Sequence, residues 1–388
     1  MPFRSKKKRT ISNSASSKSE EQRFLNDVTK QFMEHTPDFS ATINIALIGK
    51  VSTGKSSLLN AILRRTRENP AVNVGATSGV TTSLECFRLH DQFLIVDSPG
   101  LGDVIAENSR ETNEFLKHVD LGILVVTGSA DSTQKKHYDD LRHHAKKVVV
   151  VLNKVDEWDD LEASALEDVL AQWRQVLEVD VIYPTVTKGF DPKSKTDSPL
   201  ILKGVDEVRK EIEDFFQEEG KDVIFAHQMG DKTSYAIGYI SLALIAVAIE
   251  SFISGSAVLI TVTQALAIVK LYYLYYGRAL TLTSALAALP SFAAKSLGMT
   301  VFLWAKSVLP TTGIVDAAAA GIAVTITLAM LSTVTFMFAN GYGLNQKDVL
   351  QDRFSELKVK ASKLVMKTDI ADMKNAASWR KVLLDFLT

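Results

Sequence analysis

Eight residues, Gly49-Lys50-Val51-Ser52-Thr53-Gly54-Lys55-Ser56, follow directly on the apolar run Ile43–Ile48. A Gly-rich turn between a buried strand and a helix lets successive backbone N–H groups converge on phosphate oxygens. Lys55 then reaches the β/γ-oxygens and the Ser56 hydroxyl ligates Mg²⁺. A helix starting near Ser57 adds its positive N-terminal end to the same place. A second motif, Asp97-Ser98-Pro99-Gly100, ends the apolar run Phe93–Val96. It sets a carboxylate, Asp97, and a glycine N–H, Gly100, at the end of a strand, although D-x-x-G alone is a common turn. The third, Asn153-Lys154-Val155-Asp156, follows Val148–Leu152. The Asp156 carboxylate can accept from both the N1–H and the amine of guanine, a pair that adenine does not offer. The wrong base would leave that carboxylate unpaired at a high cost. Three motifs in this order, each at the C-terminal end of a strand, describe a guanine-nucleotide site.

On these motifs, residues from about 40 to 220 resemble a Ras-fold GTPase, nearer the Era-like and dynamin-like branches than Ras itself. The resemblance implies GTP and GDP as ligands, Mg²⁺ as cofactor, and a nucleotide cradle of Gly49, Ser52, Thr53, Gly54, Lys55, Ser56, Ser57, Asn153, Lys154 and Asp156. It also implies a switch threonine within Gly79-Val80-Thr81-Thr82-Ser83. Thr82, with Thr81 as the alternative, would bind the metal through its hydroxyl and the attacking water through its carbonyl. Val186-Thr187-Lys188 is similar to the family's base-capping S-A-K loop but lacks its Ser, so Thr187 and Lys188 would cap the base. The expected catalytic set is Lys55, Thr82 and Gly100, and the metal set is Ser56, Thr82 and Asp97.

The chain departs from Ras after Gly100, where Leu101 replaces a water-orienting Gln. Leu cannot hydrogen-bond water, so hydrolysis must draw on the Thr82 carbonyl, a monovalent cation (K⁺ or Na⁺), or a partner's group. Ser52 stands where potassium-activated relatives carry Asn and dynamin-like ones Ser, and Val51 replaces the polar residue of dynamins. Positioning and charge neutralisation supply nearly all the catalysis of phosphoryl transfer, so slow intrinsic turnover is expected. His137, His143 and His144 read as solvent-facing helix residues rather than a metal cluster.

The elements that must position these groups alternate. Strands are predicted at Ile43–Gly49, Leu84–His90, Phe93–Asp97, Leu121–Thr127, Val148–Asn153 and Val181–Thr187. Helices are predicted at Glu107–His118, Gln134–Ala145, Leu161–Leu177 and Val205–Phe216. This is the pattern of an α/β domain, a mostly parallel sheet covered on both faces, with the ligand outside the carboxyl ends of the strands.

The rest of the 388 residues differs in character. A net charge of −1 gives no reason to expect nucleic acid, and the single cysteine, Cys86, excludes an internal disulfide. No apolar run follows the basic start, so no signal peptide is expected. Residues 1–22 read as a disordered basic and Ser-rich arm in which Lys6, Lys7, Lys8 and Arg9 could attract anionic lipid. Residues 23–225 read as the nucleotide domain with an N-terminal helix.

Residues 226–346 read as an all-α hydrophobic domain. Only Glu250, Lys270, Arg278, Lys295, Lys306 and Asp316 are charged between Thr233 and Gln346. Ala317–Phe338 and Ser251–Val269 are long enough to cross a bilayer. With the nucleotide domain and the charged tail both cytosolic, two spans or a one-leaflet hairpin would place the protein on the cytoplasmic face of a membrane. The rival is a soluble Ala-rich bundle, favoured by Glu250, Lys270 and Lys295, since each charge costs about 2.5–3.5 kcal/mol at a bilayer centre.

This half resembles the YcjF-type hydrophobic domain found after Era-like domains, on three sets of residues. They are Thr263-Gln264-Ala265 with Leu274-Tyr275-Tyr276-Gly277, Lys306-Ser307-Val308-Leu309-Pro310 with Gly313, and the Ala317–Gly321 run. Self-association into a dimer or oligomer through the nucleotide domain is a further expectation of the dynamin-like resemblance. Residues 347–388 read as an amphipathic helical tail, with Phe354, Leu357, Val359, Leu364 and Val365 apolar. The ending Trp379-Arg380-Lys381-Val382-Leu383-Leu384 reads as core-facing, with a membrane-surface role as the alternative.

Overall fold

The computed structural model describes residues 6–72, 85–98, 117–160, 162–190, 198–253, 256–292, 301, 305 and 317–387. It divides into two compact units, Asp38–Asp231 and the pair of segments Met1–Pro37 and Lys232–Thr388.

In the first unit, β1 (Ile43–Ile48), β2 (Glu85–His90), β3 (Phe93–Ser98), β4 (Leu121–Val126), β5 (Lys147–Asn153), β6 (Tyr183–Lys188) and β7 (Ile201–Lys203) form one sheet. Their order is β2-β3-β1-β4-β5-β6-β7. The five central strands run parallel, and the two edge strands are antiparallel to their neighbours. Strands covered on both faces read as unbroken apolar runs, and every residue of β4 is buried. The helices are α2 (Lys55–Ile62), α3 (Thr133–His144), α4 (Ala163–Leu177), α5 (Val205–Glu218) and α6 (Asp222–His227), with α1 reserved for the second unit. Trp173 of α4 is fully buried, and its indole N–H donates to the Gly128 carbonyl at 2.9 Å. β1 lies between β3 and β4, so the connections diverge at its C-terminal end and open a crevice there.

The six predicted strands are present within two residues at each end; β7 was not predicted. The predicted helix Glu107–His118 lies outside the described residues except for its last two. This unit also continues past residue 225: Phe225 of α6 packs on Phe93 and Phe216.

The second unit holds α1 (Lys6–His35), α7 (Thr233–Glu250), α8 (Ser256–Tyr276), α9 (Leu282–Ala288), α10 (Ala317–Ala339), α11 (Lys347–Val365), α12 (Ile370–Met373) and α13 (Ala376–Leu387). Two expectations change here. The stretch expected to be a disordered arm is helical from Lys6, because no Pro or Gly interrupts the chain between Pro2 and Pro37. That helix also belongs with the C-terminal unit rather than with the sheet. Its stripe Phe24, Val28, Phe32, spaced by four, is buried, and α1 packs on α8.

Among the described residues three helices are long and apolar enough to cross a membrane: Thr233–Glu250, Ser256–Tyr276 and Ala320–Ala339. The expected span Ser251–Val269 is therefore misplaced, since Ser251–Ile253 is a turn and α8 starts at Ser256. Three candidates also replace the expected two. Two hydrogen bonds link polar side chains of different helices in this unit. Gln264 Nε2 donates to Thr327 Oγ1 at 2.8 Å, and Thr263 Oγ1 donates to Glu250 Oε1 at 2.7 Å. The tail is three helices rather than one. Phe354, Leu357, Ala361 and Val365 form the buried face of α11, whereas Val359 is exposed, as its helical phase requires. Trp379 is buried, with its N–H donating to the Met373 carbonyl.

Candidate nucleotide site

β1 delivers the chain to Gly49 at the centre of the sheet, and α2 starts six residues later at Lys55. Between them the loop needs left-handed backbone at Ser52 (φ 68°) and at Gly54 (φ 86°). A Cβ at Gly54 would sit 2.4 Å from Asn153 Nδ2, so only glycine fits.

Lys55 folds back over this loop. Its Nζ donates to the Gly49 carbonyl at 2.8 Å and the Lys50 carbonyl at 3.3 Å, and lies 3.4 Å from Asp97 Oδ1. Ser56 Oγ stands 3.4 Å from Asp97 Oδ2. Asp97 reaches them because β3 is the parallel neighbour of β1, with Leu47 and Asp97 in register. A hydroxyl and a carboxylate beside a lysine are hard oxygen donors suited to Mg²⁺ carried by phosphate oxygens. When bound, the metal would neutralise phosphate charge. The chain's own contribution is the ammonium of Lys55 and the convergent loop amides.

The end that the sequence assigns to the base is stitched together by one buried amide. Asn153 Nδ2 donates to the Thr53 carbonyl at 2.9 Å, and its Oδ1 accepts from Thr185 Oγ1 at 3.1 Å and Thr187 Oγ1 at 3.2 Å. The phosphate loop, the end of β5 and the end of β6 thus share one polar side chain with every group bonded. Beyond it Lys154 takes a left-handed conformation (φ 63°), and Asp156 Oδ2 faces Lys188 Nζ at 3.5 Å. The structure therefore brings together Gly49, Ser52, Thr53, Gly54, Lys55, Ser56, Ser57 and Asp97 at one end. It gathers Asn153, Lys154, Asp156, Thr187 and Lys188 at the other. Thr81, Thr82, Gly100 and Leu101 lie outside the described residues. Of the three histidines expected to face solvent, His143 is exposed, whereas His137 and His144 are half-buried.

Two contributors have no signal in the motifs. Asn60, fully buried in α2, donates to the Val72 carbonyl at 2.8 Å and accepts from the Ala71 and Val72 amides. It fixes the chain that leads toward the expected switch threonines. A buried amide inside Leu58-Leu59-Asn60-Ala61-Ile62 was the available clue. Lys50 of the phosphate loop pairs with Asp131 at the start of α3. That ammonium, with the backbone and hydroxyl of Thr133, holds the Asp131 carboxyl down at about 2.

A family model described as 50S ribosome-binding GTPase matches residues 44–154. A probable GTP-binding protein EngB of Clostridium botulinum is 26% identical over 151 residues, covering 36% of this chain and 74% of that protein. A GTPase Der of Persephonella marina is 29% identical over 194 residues, covering 47% of this chain and 41% of its own length. A crystal structure of a probable GTP-binding protein engB covers 45% of this chain and 98% of its own at 15% identity. Its TM-score of 0.28 is too low to bear on the fold. The family match falls within the sheet unit, and the chain is similar in sequence to P-loop GTPases of the EngB and Der kind.

Proposed function

We propose that this chain is a membrane-associated GTPase, in which GTP–Mg²⁺ bound by Lys55, Ser56 and Asp97 orders the Thr82 and Gly100 segments. Slow hydrolysis to GDP and phosphate then releases them. Asp156 selects guanine, Lys154, Thr187 and Lys188 enclose the base, and a monovalent cation near Ser52 or a group from a second copy replaces the missing Gln. The hydrophobic unit, which resembles the YcjF type, transmits the difference to the cytoplasmic face of a membrane, where self-assembly in the dynamin-like manner raises turnover.

The observation that carries this reading is the outward face of the apolar helices. Leu242 and Ile249, seven residues apart on α7, are exposed, with Ile253 just beyond its end and Ile322 exposed on α10. Residues seven apart share a helix face, so the α7 positions form an apolar stripe suited to lipid. A second reading, a GTP/GDP switch with a soluble helical effector unit, is favoured by α10, most of which is buried within its own unit.

GTP turnover measured across a protein concentration series, with and without anionic liposomes, in sodium and in potassium buffers, separates the two. Specific activity that rises with concentration and lipid is expected. Turnover that stays flat and slow, with no protein floating with liposomes, overturns the membrane reading and leaves the partner-binding switch.

A further inference from the structure

Between α2 and the end of β6 lies a contact that the nucleotide motifs do not explain. Arg67 follows the C-terminal end of α2 by five residues, and its guanidinium is partly buried. Its Nε donates to the Gly189 carbonyl and its Nη2 donates to the Ser198 carbonyl. Nε–H and Nη2–H lie on one edge of the planar guanidinium, a fork that takes two oxygens at once. The two oxygens belong to Gly189, directly after β6, and to Ser198, three residues before β7.

The approach is close by construction. Gly189 holds a left-handed backbone (φ 107°), and a Cβ there would stand 2.8 Å from Arg67 Nη2 and 3.1 Å from the Pro199 carbonyl. Only glycine lets the guanidinium reach this carbonyl without displacing one of them. Immediately before Gly189 come Thr187, bonded to Asn153, and Lys188, facing Asp156. On the other side of Arg67, the Asn60 amide bonds residues 71 and 72. Arg67 is thus held in place on its own strand of chain and in turn fixes the segment beside the base.

We propose that Arg67 is a positioning residue for guanine recognition, a staple that ties Gly189 to Ser198 and thereby holds Thr187 and Lys188 against the bound base. This rests on the reading of Asp156, Thr187 and Lys188 as the base pocket. Arg67 bonds backbone next to Thr187 and Lys188, away from the Lys55–Asp97 cluster, so its effect falls on how long the nucleotide stays rather than on the chemical step. Two charge-assisted hydrogen bonds to carbonyls are enough to change a dissociation rate by about tenfold or more.

The test uses the full-length chain and GDP carrying a fluorescent ribose label, with dissociation rates, KM and kcat measured for wild type, Arg67→Met and Arg67→Lys. Asp156→Asn is run in parallel. Arg67→Met is expected to speed GDP dissociation about tenfold and raise KM, with kcat at saturating GTP within about twofold. Arg67→Lys, whose single ammonium reaches one carbonyl, is expected to fall between.

A dissociation rate for Arg67→Met within twofold of wild type overturns the proposal. So does a fall in kcat and folded fraction together with unchanged KM, which would mark a merely structural role. Should Arg67→Met not fold, a wild-type dissociation rate in Arg67→Lys overturns it. Loss of guanine preference in Asp156→Asn alongside wild-type kinetics in both Arg67 variants rejects the staple and keeps the base pocket. Unchanged guanine preference in Asp156→Asn rejects both.

Discussion

At the N-terminal end of the parallel sheet, Asp120 is buried with a carboxylate that accepts from the Asn44 amide at 3.1 Å. It also pairs with Lys221 at 2.7 Å and Lys146 at 3.2 Å. At the C-terminal end the same side-chain types stand further apart. Lys55 and Asp97 are at 3.4 Å, and Asp156 and Lys188 at 3.5 Å. One end closes its charges upon themselves, and Lys221 extends the closure by donating to the Thr42 carbonyl. At the other, Lys55–Asp97 and Asp156–Lys188 are longer and lie where a ligand's phosphates and base would join them, while the short pair there, Lys50–Asp131, is partly exposed. Asp120 is buried among partners of the protein itself, whereas Asp156 and Lys188 are partly open to solvent and so to a ligand, and that difference separates the two ends.

The strongest way to break this contrast is to remove the closed charge. Asp120→Ala leaves Lys221 without its carboxylate and the Asn44 amide without its acceptor. Breaking a buried pair by deleting one partner costs about 3–5 kcal/mol. A shift of that size is expected in urea unfolding, while the folded fraction binds GDP as wild type does. A loss of GDP affinity in fully folded Asp120→Ala would show that the two ends are not independent.

The converse change acts on the open end. Asp156→Asn replaces one of the two accepting oxygens by an NH2 that faces a guanine donor, and is expected to weaken GDP and GTP binding by about a hundredfold or more. Affinity for xanthine nucleotides should rise, because the asparagine amide can donate to the 2-oxo group. The apo protein should melt within a few degrees of wild type, since the Asp156–Lys188 pair is long and partly exposed, a geometry worth about 0–1 kcal/mol. Calorimetric titration with both nucleotides decides it. Unchanged guanine affinity would remove Asp156 from the base pocket.

This contrast also explains what was legible in the sequence. β1, β3, β4 and β5 announce themselves because strands covered on both faces must be apolar throughout. β7 does not, because Ile201, Leu202 and Lys203 are all exposed and three residues show no period. The phosphate loop and the Asn153–Asp156 motif are contiguous, so their chemistry survives in the order of residues. Asp120 is different. Its partners lie 26, 76 and 101 positions away, and nothing local distinguishes it from a surface aspartate. Lys50–Asp131 and Arg67–Gly189 are hidden for the same reason. In the helical unit, the break between α7 and α8 escaped notice because its Ser-rich, uncharged turn has the composition of the helices around it. The stripe of Phe24, Val28 and Phe32 shows that α1 has an apolar face but not which unit receives it.

The smallest expected effect comes from the Lys50–Asp131 pair, which tethers the phosphate loop by an exposed contact. Its two side chains are 58% and 30% exposed, so solvent screens it and its worth is under about 1 kcal/mol. The sign of its pH dependence is nevertheless fixed. In the folded protein the Asp131 carboxyl titrates at about 2, below its ordinary 3.8, chiefly through the Lys50 bond. A depressed carboxyl contributes stability that is present above the unfolded value and lost as pH falls toward the folded one. The stability difference between wild type and Asp131→Asn should therefore be constant from pH 5 to 8 and shrink as pH falls through the interval from 3.8 to about 2. It should also shrink in 1 M salt, where the screening length drops to about 3 Å. A difference that instead grows on acidification would mean that Lys50 holds the loop through something other than Asp131. The loop would then be tethered as tightly as the closed end of the sheet, and the contrast between the two ends would weaken.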